Sequence, residues 1–232
     1  MKISLLHATL GRPQKAVAAM RAALAAAAEP GQIEYIVACE MSDDASAIAF
    51  AETDARVLVG PFNGSAPAWD AAAKASTGDL LVQMQDDLEL PVDWDGILLE
   101  WLEGANTDPN WWRTVPLVVR VSDGHRKDRL MCTAIMNRTR YRQQGEFLHA
   151  GYQSVYSDGD FTYGALRDAA AGRCHIISTD TVFYHRHPYH DKSVPMDATY
   201  AHENSADAYA RGLQLFNQRN PGWRESGLVD WM

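Results

Sequence analysis

Four short apolar runs in the first 85 residues, each separated from the next by a stretch of helical character, constrain this chain more than any other feature. Lys2–Ala8 (KISLLHA), Ile33–Ala38 (IEYIVA), Arg56–Gly60 (RVLVG) and Leu80–Gln85 (LLVQMQ) have the length and apolarity of buried strands. Between them, Pro13 is placed to open a helix that Glu29, Pro30 and Gly31 close. Ser42, Asp43 and Asp44 offer an N-cap to a helix running to about Glu52, and Ser65 offers one to a helix through Ser76. Such β-α-β-α-β-α-β alternation predicts an α/β fold with a mainly parallel, Rossmann-like sheet covered by helices on both faces, because parallel neighbours need a crossover and the crossovers shield the sheet. In sheets of this kind ligands lie beyond the carboxyl ends of the strands.

Beyond Pro91 the pattern changes. Trp94–Leu102 reads as a helix, Val115–Val121 and Leu130–Met136 as strands, and Arg138–Gln144 as a helix. Asp158–Ala171 is a further helix, Cys174–Tyr184 holds one or two strands, and Ala206–Gln218 is a last helix. No linker, repeat or low-complexity tract interrupts the chain, and 47% apolar residues suffice to fill a core, so one domain spanning 1–232 is expected, with halves at 1–91 and 92–232. A net charge of −9 argues against the broad basic face that nucleic-acid or anionic-membrane binding requires. The Ala-rich stretch 16–28 is interrupted by Arg21 and falls short of the ~20 apolar residues of a membrane span. Cys39, Cys132 and Cys174 form no C-x-x-C motif, which suits reduced thiols and a cytoplasmic location.

The fourth apolar run ends in Asp86 and Asp87, with Glu89 close behind. Adjacent carboxylates at a buried strand end repel one another unless a cation, a proton or a ligand lies between them. There is no G-x-G-x-x-G after the first strand and no G-x-x-x-x-G-K-[ST], so a bound nucleotide's phosphates need some other neutralising partner. Mg²⁺ or Mn²⁺ held by carboxylates supplies one. His185, in TVFYHRHPYHDK at the end of another apolar strand, is a suitable imidazole ligand for Mn²⁺, whereas the spacing of His185, His187 and His190 is not that of a zinc site. Asp158 and Asp160 begin a helix; one is read as its cap and the other as a general base. Arg126, Lys127, Arg129 and Lys192 are candidates for closing over a diphosphate, with solvated loops as the simpler reading. Trp94, Trp111, Trp112 and Tyr152 are read first as core residues and second as stacking platforms.

Taken in order, these segments resemble family 2 glycosyltransferases with the GT-A fold. GDLLVQMQDDLELP, Gly78–Pro91, is similar to that family's Gly-Asp-apolar-Asp-x-Asp segment. Thr9 and Arg12 match its first nucleotide-contact loop, CEMSDDAS its acidic loop with Glu40 facing the base, and NGSAPAWDAAAKASTGD, starting at Asn63, the segment leading to the metal motif. GEFLHAGYQSVYSDGDFTYGALRDAAAGRCHI resembles the acceptor-side segment, with Asp158 in the place of the base, and VFYHRH resembles the late strand whose His completes the metal site. Three positions depart from the pattern: Gln85 replaces the first acid of Asp-x-Asp, Ser157 the Glu before the base, and Cys39 an Asp. The resemblance implies an inverting, metal-dependent transfer of a sugar from a UDP- or GDP-sugar to a hydroxyl acceptor. It also implies a nucleotide-sugar site of Thr9, Arg12, Glu40, Asn63 and Asp86, with Asp87 and His185 on Mn²⁺ or Mg²⁺ and Asp158 catalytic. A metal-dependent sugar nucleotidyltransferase and a non-catalytic nucleotide-sugar binding module are the alternatives.

Overall fold

The computed structural model describes residues 1–231. Its first half is the alternation expected: β1 (Ile3–Thr9), α1 (Pro13–Ala25), β2 (Ile33–Glu40), α2 (Asp44–Ala51), β3 (Arg56–Gly60), α3 (Ser65–Ala75) and β4 (Leu80–Met84). Then follow β5 (Leu88–Glu89), α4 (Trp94–Gly104), β6 (Leu117–Ser122), β7 (Ile135–Asn137), α5 (Arg138–Gln144), α6 (Ser157–Ala170), β8 (His175–Val182), β9 (Tyr184–His185), α7 (Ala198–Glu203) and α8 (Ala206–Arg219). Seven strands share one sheet in the order β3-β2-β1-β4-β7-β6-β8, in which β7 runs antiparallel to both neighbours and the other pairings are parallel.

Because successive strand residues point to opposite faces, β1 feeds two cores. Ile3 and Leu5 pack with Val17 and Met20 of α1, Phe50 of α2 and Trp94 and Leu98 of α4 on one face. Leu6 packs with Ile36, Leu81, Ala72 of α3, Phe161 of α6 and Phe216 of α8 on the other. β4 is buried along its whole length, which explains its unbroken apolar run.

Several sequence expectations need correction. The strand expected over 130–136 exists only from Ile135, and upstream of it the Met131 amide donates to Thr162 Oγ1 of α6 (3.0 Å) rather than to a neighbouring strand. Helix α1 stops at Ala25 rather than near Glu29, since the amides of Ala28 and Glu29 donate to the Asp95 carboxylate (2.6 and 2.9 Å). Ser65 is not the cap of α3. Gly64 holds that place with φ of +139°, and a Cβ there would stand 2.3 Å from the Gln153 carbonyl oxygen, so only glycine lets α3 approach the segment before α6 so closely. Asp43 does cap α2, accepting from the Ser46 amide at 3.1 Å. Trp94 and Trp112 are core residues, and Trp111 is tied through its indole N–H to the Leu102 carbonyl. No helix among the described residues is long and apolar enough to cross a membrane.

Candidate active site

Beyond the carboxyl ends of β1, β2 and β4 lies a cavity of about 840 Å³. Thr9, Arg12, Glu40, Asn63, Asp86, Asp87, Asp158 and His185 all line it. Contributions come from both halves of the chain, with Asp158 on the first turn of α6 and His185 on β9.

The short ribbon β5–β9 explains how His185 reaches Asp87. Its antiparallel register pairs Leu88 with His185, and the Arg186 amide donates to the Asp87 carbonyl at 2.8 Å. His185 Nε2 consequently stands 3.3 Å from Asp87 Oδ1. Burial pushes the Asp87 carboxyl up, but hydrogen bonds from His185 and Tyr200 and the charges of His185 and Lys15 outweigh it and hold Asp87 well below the usual carboxylate range. His185 is raised for the reciprocal reason: burial opposes the imidazolium, and Asp87 more than compensates. His187 behaves differently, pushed down to about 4 first by burial and then by the His185 charge, and stays neutral beside the Tyr200 ring.

Within the protein, the two aspartates bond to different side chains. They lie in the turn between β4 and β5. Asp86 Oδ1 meets His7 Nε2 at 2.8 Å, and its Oδ2 faces Arg12 Nη1 at 3.7 Å, while Asp87 Oδ2 accepts from the Tyr200 hydroxyl at 2.6 Å. Each carboxylate therefore has neighbours of its own, His7 and Arg12 for Asp86, His185 and Tyr200 for Asp87.

Among the described residues no group of three or more His, Cys, Asp or Glu side chains is arranged to hold a metal ion. The donor pair of Asp87 and His185 still suits Mn²⁺ or Mg²⁺. Two adjacent ligands on an octahedral ion at about 2.1 Å are about 3 Å apart, and such ions commonly take their remaining ligands from substrate phosphates and water. Two protein donors 3.3 Å apart therefore match an ion that arrives with its substrate better than a resident structural one.

At the β2 end, Glu40 Oε2 accepts from the Asn63 amide at 2.8 Å, and Asn63 takes a left-handed φ of +57° to make that contact. Among the described residues Thr9 Oγ1 is buried without a hydrogen-bond partner, and so is the indole N–H of Trp231, which lines the same cavity. Buried polar groups left unpaired by the protein are what a polar ligand satisfies. Asp158 lies deep in the cavity; burial raises its carboxyl, with the Gly159 amide and the Arg126 charge opposing. Asp160 has gone elsewhere, accepting from Asn220 at 2.6 Å and pairing with Arg219 at 3.1 Å. Of the basic candidates only Arg126 lines the cavity. Arg129 binds Asp230, and Lys192 Nζ donates to the carbonyls of Pro188 and Tyr189.

Several residues in or behind the cavity wall carry no recognisable signal in the sequence. Asp197 receives a two-pronged hydrogen bond from Arg12 (2.9 and 2.6 Å), Lys15 donates to the Tyr200 hydroxyl at 2.6 Å, and the Arg12 guanidinium lies 3.8 Å over the Tyr200 ring. Glu203, at the end of the same helix α7, also lines the cavity.

The description Glycosyl transferase family 2 matches the chain over residues 9–154, well over half its length. The chain belongs to this family. Solved structures agree on the fold. S. aureus TarS superimposes with a TM-score of 0.58 at 11% identity, covering 95% of this chain and 44% of TarS. The mannosyltransferase PcManGT from Pyrobaculum calidifontis, in complex with GDP-Man and Mn²⁺, gives 0.62 at 18% identity, covering 94% of this chain and 63% of that one. Glucosyl-3-phosphoglycerate synthase from Mycobacterium tuberculosis, in complex with Mn²⁺, UDP and phosphoglyceric acid, gives 0.52 at 16% identity over 91% of this chain and 78% of that one. The family 2 chain described here thus spans less than half of TarS. No curated protein matches it. The matched region ends at residue 154, so Asp158, His185 and α7 lie outside it.

Proposed function

We propose that the protein is an inverting, metal-dependent glycosyltransferase that moves a sugar from a UDP- or GDP-sugar to a hydroxyl acceptor. The observation that carries this reading is the convergence, in one cavity of a family 2 chain, of a paired Asp87 and His185 with a half-buried Asp158. Complexes of the fold relatives with UDP-GlcNAc, GDP-Man, Mn²⁺ and Mg²⁺ support the donor class and the cation.

In this reading Glu40 and Asn63 border the nucleobase end, Thr9 donates its unpaired hydroxyl to the nucleotide, and Arg12, steadied by Asp86 and Asp197, lies along the diphosphate. Asp87 and His185 would hold a divalent cation, which when bound would supply Lewis-acid stabilisation of the charge on the leaving diphosphate. Tyr200 and Lys15 keep the Asp87 carboxylate oriented and ionised. Asp158 takes the proton from the acceptor hydroxyl as its oxygen bonds to the anomeric carbon and the nucleoside diphosphate departs from the opposite face. Its raised proton affinity, a consequence of burial, makes it a stronger base than an exposed carboxylate. A single displacement inverts the anomeric centre. The three free thiols accord with a reducing compartment such as the cytoplasm.

The test is thermal unfolding with UDP and GDP, each with Mn²⁺ and with chelator. A nucleotide at 100 times its dissociation constant adds about 2.7 kcal/mol of stability. A shift is expected only with the cation, and Asp87→Asn abolishes it. Stabilisation indifferent to both the cation and Asp87 refutes the reading, whereas pyrophosphate release from a nucleoside triphosphate and a sugar phosphate would replace it with a nucleotidyltransferase.

A further inference from the structure

A second cavity, of about 440 Å³, shares no lining residue with the first. It lies among α5, the end of α6, the turn at Arg173 and the end of α8. In a chain of net charge −9, four arginines converge on it.

At its basic end, Asp168 accepts from Arg140 Nη1 at 2.6 Å and Arg173 Nη2 at 2.7 Å, with Arg167 Nη2 at 3.4 Å. Three guanidinium groups are thus balanced by one carboxylate. Arg140 is 3% exposed, and its buried Nε–H has no partner among the described residues. A buried guanidinium keeps a free donor at a cost unless an acceptor completes it. Asp168 and Gln143 already occupy its Nη1, so packing alone does not account for the remaining donor. Arg167 and Arg173 are about half exposed, at 51% and 54% of their side chains, and can turn toward a ligand. At the other end, Arg219 pairs with Asp160 and Glu146, and His149 Nδ1 also stands 2.9 Å from Glu146, so two carboxylates face one guanidinium on that wall. The polarity selects the ligand: an acidic far wall repels an extended polyanion, and clustered guanidiniums suit a compact oxyanion that accepts several N–H bonds at once.

We propose that this cavity binds a small phosphate-bearing anion through Arg140, Arg167 and Arg173. The site would lie at the far end of α6 from Asp158, about 15 Å along the helix at 1.5 Å per residue.

The test is isothermal titration of the full chain with inorganic phosphate and, separately, with glycerol phosphate, in chelator so that no cation recruits phosphate to the first cavity. Replacing Arg140 threatens the fold, so the probe variant is Arg167→Gln/Arg173→Gln, whose side chains are half exposed, with Asp87→Asn as the control for the first cavity. Saturable binding is expected in the parent and in Asp87→Asn with dissociation constants within twofold, and at least tenfold weaker binding in the double variant. Arg173→Gln alone, outside any helix, repeats the comparison should the double variant unfold, with a severalfold loss expected. Tighter binding of glycerol phosphate identifies a phosphomonoester as the ligand, and tighter binding of inorganic phosphate identifies the free ion. Absence of saturable binding at tens of millimolar, or binding lost in Asp87→Asn and kept in the arginine variants, overturns the proposal.

Discussion

Replacing Glu203 by glutamine should stabilise the protein at alkaline pH and leave it unchanged in acid. Burial is the main cause of a carboxyl pushed up from an ordinary 4.5 to about 7, with Asp86, Asp87 and Asp197 adding like charge and Arg12 opposing. Below pH 4.5 the group is protonated in both folded and unfolded chains and costs nothing. Between pH 4.5 and 7 the unfolded chain ionises while the folded one does not, so the penalty grows with pH and is complete above 7. At ~1.36 kcal/mol per tenfold change in proton affinity, the full penalty is about 3 kcal/mol. Among the described residues the Glu203 carboxyl makes no hydrogen bond, so Glu203→Gln removes the penalty without breaking a contact of that group. Urea unfolding from pH 4 to 8.5 reads the difference, which should climb from near zero to about 3 kcal/mol, equivalent to roughly 6–10 °C in Tm. With Mn²⁺ and UDP present the climb should shrink, because a cation at Asp87 offsets part of the local negative charge. A difference that is flat with pH, or that grows toward acid, refutes the argument.

Asp158→Asn should slow sugar transfer roughly 10²–10⁴-fold, the usual contribution of a general base, while UDP binding measured by titration stays within about twofold. Gly64→Ala forces a Cβ to within 2.3 Å of the Gln153 carbonyl oxygen at a positive φ, and should lower urea stability by at least ~2 kcal/mol. Glu34 is held down to about 2 despite some burial, by hydrogen bonds from Lys2, Ser4 and Thr77 that tie β2 to β1 and to the turn before β4. Solvent screening at this partly exposed site limits the benefit to about 1–2 kcal/mol. That benefit is present above pH 4.5 and lost as pH falls toward 2, so the deficit of Glu34→Gln at neutral pH should vanish in an acid titration of stability.

Local pattern alone carried much of this molecule. The alternation from Lys2 to Gln85 is written in side-chain periodicity and in Pro, Gly and Asp punctuation, which act over a few residues and need no partner from elsewhere. The same holds for the acids after β4 and the histidine in VFYHRH, whose chemistry is conspicuous at strand ends. The register of β5 against β9 was not legible, because a two-residue ribbon has no periodicity. The false strand at 130–134 looked regular locally, but its Met131 amide bonds to α6 rather than to a neighbouring strand. Tyr200 on Asp87 and Asp197 on Arg12 join positions 113 and 185 residues apart. Nothing in a tyrosine or an aspartate within an ordinary polar helix marks it for such a contact. Which segments become strands and helices, and which carboxylates end up beyond them, follows from short-range sterics and burial and is already present in the order of the residues. Which partner each carboxylate keeps was decided only by the tertiary structure, because electrostatic pairing depends on distances that exist only once the sheet has closed on α7 and β9.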